Sequence, residues 1–116
     1  MLDTSFIDHL IFARANPGRR DQLGERLASL LQPTRAAMGC VRFTLQHSLS
    51  DPDLWVLAGT WRGPQAMQSW FGGEQASLFD QLVQSRLISS LDFNTFTTVE
   101  VDAHDGTQAP WWLKVS

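Results

Sequence analysis

The sequence predicts an α+β fold of the ferredoxin-like type, βαββαβ: a four-stranded antiparallel sheet with two helices on one face. Three observations predict it. Short apolar or alternating runs trade places with three-to-four-residue periodicity in that order along the chain. The second and third strand candidates are separated only by the turn-rich SLSDPD, a hairpin loop, while the other links are long enough for a helix. The first and third candidates (HLIFA, WVLAG) are apolar on both faces, whereas the second alternates and the fourth is mixed. In a ferredoxin-like sheet the first and third strands are central and must look like that.

FIDHLIFARA (6–15) is short, apolar and bounded by Asn16-Pro17-Gly18, so it reads as a strand ending in a turn. From Arg19 onward, Leu23, Leu27, Leu30, Leu31 and Met38 recur at helical spacing; Pro33 should interrupt that helix near its last turn and Gly39 should cap it. CVRFTLQH (40–47) and LWVLAGTW (54–61) form the hairpin. Gly63-Pro64 opens a second helix, with proline suited to the first turn. Ala66, Met67, Trp70 and Phe71 follow its period, Gly72-Gly73 break it, and Leu78, Phe79, Leu82 and Val83 resume it. SLDFNTFTTVEVD (90–102), rich in Thr, Phe and Val, is the last strand. Residues 1–102 therefore form one domain, followed by a C-terminal tail (103–116) whose Trp111-Trp112 pair should dock rather than stay exposed.

Pairing Leu45 with Leu57 places Phe43 opposite Gly59 and Val41 opposite Trp61. One hairpin face then carries Val41, Phe43, Leu45, His47, Trp55, Leu57 and Trp61 and should meet the helices; the other carries Arg42, Thr44, Gln46, Val56, Ala58 and Thr60. Two helices cover only one sheet face. The apolar residues on the other face of the central strands predict a homodimer packed sheet on sheet.

Composition excludes several classes. The net charge is −3 and the nine basic residues form no stripe, which argues against nucleic acid and anionic membranes. The first residues carry no basic n-region, and no apolar run approaches the about 20 residues of a membrane span. A cytoplasmic protein is expected. Cys40 is alone, so no intrachain disulfide can form. His9, His47 and His104 show no metal-ligand spacing, and no metal is expected.

Tyr is absent while Trp occurs five times, which suits either a core or an aromatic ligand pocket. Trp61, Trp70 and Phe79, with the gap left by Gly59, are expected to line one apolar cavity between sheet and second helix; a strand glycine also marks a twist or bulge. His47, on the helix-facing side, is the candidate base, because its ordinary pKa lies near neutrality; it also reads as a strand-end histidine partly exposed beside the SLSDPD loop. His9 reads as structural or as part of the pocket rim. Cys40 and His47 cannot act as a dyad: seven strand residues separate them by roughly 23 Å, on opposite faces.

In order along residues 6–101, the first strand, ANPG, TRAAMGCVRFTLQHSLSDPDLWVLAGTWRGPQAM and the second helix resemble the antibiotic biosynthesis monooxygenase family of dimeric α+β barrels. Thr34-Arg35, Gly39-Cys40, Asp51-Pro52 and Trp61 stand at the places the family marks. The resemblance implies a homodimer with a pocket between helices and sheet. It also implies oxidation of an anthrone- or quinol-like aromatic small molecule by O2, with neither metal nor flavin. The interrupted second helix is similar to the family's pocket lid. Trp70 and Glu74-Gln75 stand where members often carry His and Pro-His, which leaves Gln75 as a hydrogen-bond donor to a substrate oxyanion. Haem-degrading members are similar at Trp70, but Ile11 and Asp80 replace their Asn and His, so no haem is expected. Anthrone-oxidising members are similar at Trp61, with Leu57 in place of their Asn. A second reading is a non-catalytic small-molecule-binding or scaffold protein that kept the pocket and lost the imidazoles.

Overall fold

The computed structural model describes residues 6–99. The element order is β1 (Ile7–Ala15), α1 (Arg20–Ala28), α2 (Leu31–Arg35), β2 (Cys40–His47), β3 (Leu54–Trp61), α3 (Pro64–Phe71), α4 (Ser77–Gln84) and β4 (Ile88–Thr97). The sheet is antiparallel in the order β2-β3-β1-β4, so the doubly apolar strands are the central ones, as expected for the ferredoxin-like fold. Residues 100–116, and with them the tail, Trp111 and Trp112, lie outside the described residues.

Each predicted helix is two short ones. α1 stops at Ala28 and α2 begins at Leu31, so Pro33 falls in the first turn of a new helix, where its missing N–H is not needed. The break comes one turn earlier than the sequence suggests, because proline's ring would strike the carbonyl four residues before it. Met38 lies beyond α2 and is 92% exposed; the helical period no longer applies there. Gly39 is not the helix cap but part of the turn into β2. Its φ of 84° is left-handed, and a Cβ there would lie 2.4 Å from the Ala66 Cβ. The second break falls where Gly72-Gly73 predict it, with Gly72 closing α3. α4 turns Phe79 and Leu82 inward and leaves Val83 exposed.

Alternation decides which side chains reach the core. On β1, His9, Ile11, Ala13 and Ala15 point to the helices and are buried. They meet Leu23, Leu27 and Leu30 from the first crossover, Met67, Trp70, Phe79 and Leu82 from the second, and Phe43, Leu57 and Trp61 from the hairpin. The hairpin register is Leu45 with Leu57 and Phe43 with Gly59, as read from sequence. Val41 does not face Trp61, however. A register shift between Cys40 and Arg42 brings Cys40 opposite Trp61 and leaves Val41 exposed. The opposite sheet face presents Leu10, Phe12, Val56 and Ala58, all half-buried, and the half-exposed Phe96.

Candidate functional site

Strand register builds an aromatic cluster around His9. His9 on β1 pairs with Gly59 on β3, and Gly59 pairs with Phe43 on β2. The row therefore has rings at both ends and no side chain in the middle. Both rings lean into the gap: a Cβ on residue 59 would lie 2.5 Å from His9 Cε1, 2.7 Å from His9 Nε2 and 3.0 Å from Phe43 Cδ1. The strand glycine is thus explained by a close approach, that of an imidazole ring.

Trp61, two residues along β3, donates its indole N–H to His9 Nδ1 at 3.1 Å. Trp70 of α3 stacks nearly parallel on His9, at 5.5 Å between centroids and 13° between planes. Its own indole N–H donates to Thr34 Oγ1 of α2 at 3.0 Å, so the two indole polar tips are satisfied and the ring positions fixed. Phe79 of α4 meets Trp70 edge to face. Phe71, the last residue of α3, lies 5.7 Å from His9 and 5.7 Å from Phe93, which is 47% exposed. The cluster therefore runs from a fully enclosed imidazole to the surface.

Burial pushes the His9 pKa down from 6.5 to about 4, against a smaller upward pull from the neighbouring Asp8 carboxylate. The ring is neutral at physiological pH. Its Nε2 has no hydrogen-bond partner among the described residues. Buried polar atoms without a partner are few in native proteins.

Of the residues singled out in the sequence, Gly59, Trp61, Trp70 and Phe79 converge here, packed against one another around His9. Gln75 is half-buried in the turns between α3 and α4. His47 does not join them. It sits at the strand end with an exposed ring stacked on Trp55 at 4.0 Å and its Nε2 2.6 Å from the Pro52 carbonyl. The reason is positional: β2 is an edge strand, and its last residue is exposed. Asp80 is exposed on α4, and burial pushes the Cys40 thiol pKa up, away from thiolate chemistry. The central residue is His9, which in sequence reads as structural or as part of the pocket rim. Its signal was present in Trp61, whose buried N–H requires an acceptor, and in Gly59, whose gap requires an occupant.

A second concavity, of about 290 Å³, opens on the other sheet face between Asp8, Arg42, Thr44, Gln46, Thr60 and Phe96. There Thr60 Oγ1 donates to Asp8 Oδ1 at 2.6 Å. Among the described residues, no group of three or more His, Cys, Asp or Glu side chains is placed to hold a metal ion, and no helix is long and apolar enough to cross a membrane.

The family model for antibiotic biosynthesis monooxygenases matches residues 9–82, which include every element of the cluster but Phe93. No curated protein matches the chain. Among solved structures, a Shewanella oneidensis protein superimposes with a TM-score of 0.79 at 21% identity, over 87% of this chain and 98% of its own. A candidate antibiotic biosynthesis monooxygenase from Deinococcus radiodurans gives 0.75 at 19% identity, over 82% and 94% of the two chains. Another, from Chloroflexus aurantiacus, gives 0.62 at 26% identity, over 84% and 94%.

Proposed function

The chain belongs to the antibiotic biosynthesis monooxygenase family, and from that premise we propose that it is a cofactor-independent monooxygenase acting with O2 on an anthrone- or quinol-like aromatic molecule. The observation that carries this reading is the aromatic cluster itself. Phe43, Trp61, Trp70 and Phe71 surround a single neutral imidazole, with Phe79 against Trp70, a setting that suits a flat ring system bearing one oxygen. Gly59 contributes the floor of the site and Gln75 its rim.

The chemistry asks little of the protein. An anthrone loses a proton to give a stabilised, electron-rich anion, which passes an electron to O2 directly. The reaction balances without a further reductant: a ring methylene and a molecule of O2 give a ring ketone and a molecule of water. One oxygen atom enters the ketone, and the other leaves with the two methylene hydrogens. The protein has to favour the anion, hold the ring and exclude bulk water. An aromatic enclosure with one hydrogen-bonding edge meets those requirements. His47, engaged with Pro52 and Trp55, takes no part. A second copy of the chain packs on the open sheet face over Leu10, Phe12, Val56 and Ala58.

A second reading is favoured by one feature: the cluster is filled by its own rings and, among the described residues, holds no side chain positioned as a base. A binding or scaffold protein would look the same. Oxygen-electrode measurement with 1,8-dihydroxyanthrone and excess EDTA separates the two. The oxygenase consumes O2 faster than the anthrone autoxidises in buffer; a rate equal to autoxidation supports the binding protein.

A further inference from the structure

The geometry points to His9 Nε2–H as the site's oxyanion donor, a hydrogen bond kept free for the ionised oxygen of the aromatic substrate. The inference rests on the oxygenase reading above and assigns the polar contact within it.

The tautomer follows from the partner. An indole N–H can only donate, so the Trp61 contact at 3.1 Å makes His9 Nδ1 the acceptor. A neutral ring accepting at Nδ1 carries its proton on Nε2. That atom is fully enclosed and unpartnered among the described residues. A buried donor left unpaired is destabilising, and a phenylalanine in the same stack would avoid that penalty. Gly59 adds to the same account. Any side chain there would press on the Cε1–Nε2 edge, so β3 sets only backbone against this edge.

The same geometry excludes two other roles for His9. It is not a base, since its one acceptor nitrogen is occupied by Trp61. Nor is it a cation, because the apolar enclosure keeps the proton count at one. A neutral N–H donor is suited to a group that ionises on binding. The substrate hydroxyl or enol gives its proton to solvent, His9 keeps its own, and the hydrogen bond to the charged oxygen is stronger than to the neutral one. Phe71 links His9 to half-exposed Phe93, and α3 ends at Phe71 with Gly72-Gly73 beyond it. A flat ligand reaches Nε2 by displacing the Phe71 ring at this helix end.

The test uses alizarin, a planar hydroxyanthraquinone that is already oxidised and whose colour reports ionisation of its hydroxyl. Bound to wild-type protein, alizarin should ionise at a lower pH than free, with its ionisation constant raised on the order of tenfold. In His9→Phe, which retains the stack, binding followed by Trp quenching should persist while the ionisation constant returns to the free value. Equal ionisation in wild type and His9→Phe would overturn the assignment and leave the aromatic site standing. Failure of alizarin to bind wild type at all would overturn both. If His9→Phe does not fold, 15N NMR of the wild type decides. The His9 ring should be protonated at Nε2 at pH 7, and that proton resonance should shift on saturation with alizarin; a ring protonated at Nδ1, or an unmoved resonance, would overturn the proposal.

Discussion

Gly59→Ala should destabilise the protein, against the usual effect of replacing a strand glycine. Gly59 has no left-handed φ, so alanine fits the backbone, and the lost unfolded-state freedom alone would stabilise by about 0.5–1 kcal/mol. The added methyl, however, would lie 2.5 Å from His9 Cε1 and 2.7 Å from Nε2. His9 has nowhere to go: Trp61 holds Nδ1, and Trp70 lies on the ring at 5.5 Å. Overpacking of this kind costs about 1–3 kcal/mol, and loosening the Trp61–His9 hydrogen bond adds about 1 kcal/mol. The net loss is about 2 kcal/mol, or roughly 8 °C in Tm for a chain of this size. Urea denaturation at fixed protein concentration measures it. The decisive comparison is the double-mutant cycle with His9→Ala. With the imidazole gone the new methyl has room, and Gly59→Ala should become neutral or stabilising. An equal loss in both backgrounds would show that the strain does not lie in the contact with His9.

Four other outcomes are expected. Thr34→Val keeps the shape of residue 34 but strands the Trp70 N–H, and should lower stability by about 1–3 kcal/mol in urea denaturation. Because the His9 pKa is about 4 in the folded chain and 6.5 ordinarily, the unfolded chain binds the extra proton first. Its contribution to stability is complete above pH 6.5 and falls away toward pH 4, a slope that His9→Phe should flatten in pH-dependent denaturation. Leu10→Lys on the open sheet face should shift sedimentation equilibrium from dimer toward monomer at low micromolar concentration, whereas a monomeric wild type there would contradict the covered face. His47→Ala should leave anthrone-dependent O2 uptake within about twofold of wild type, since a general base would be worth about 10²-fold or more.

The fold was legible because central and edge strands differ in periodicity, and that difference survives in a single sequence. The hairpin register was legible for the same reason, up to the bulge at Val41, since one extra residue on an edge strand leaves no pattern. Helix ends were less so: Pro33 announces an interruption but not on which side of itself, and Met38 kept the spacing of a helix that had already stopped. The site divided along similar lines. Apolar members (Trp61, Trp70, Phe79) follow from pattern, and Gly59 from its gap. The polar member did not, because His9 and His47 look alike as strand histidines. What distinguishes them is cross-strand register: β1 against β3 brings His9 beneath Trp70 and beside Trp61, while the end of edge strand β2 leaves His47 exposed. Register between strands far apart in sequence is a tertiary fact, and it decides which imidazole is enclosed.

Reaction is proposed on the helix side of the sheet, among Trp61, Trp70, Phe71 and Phe79, with His9 as its polar contact. A crystal structure of the protein soaked with 1,8-dihydroxyanthraquinone, the expected product, tests it most directly. A displaced Phe71 ring, the quinone against Trp70, and a ligand oxygen within hydrogen-bond distance of His9 Nε2 are expected. A quinone seated instead on the opposite sheet face, in the concavity of Asp8, Arg42 and Thr60 with the His9 cluster unchanged, would contradict it.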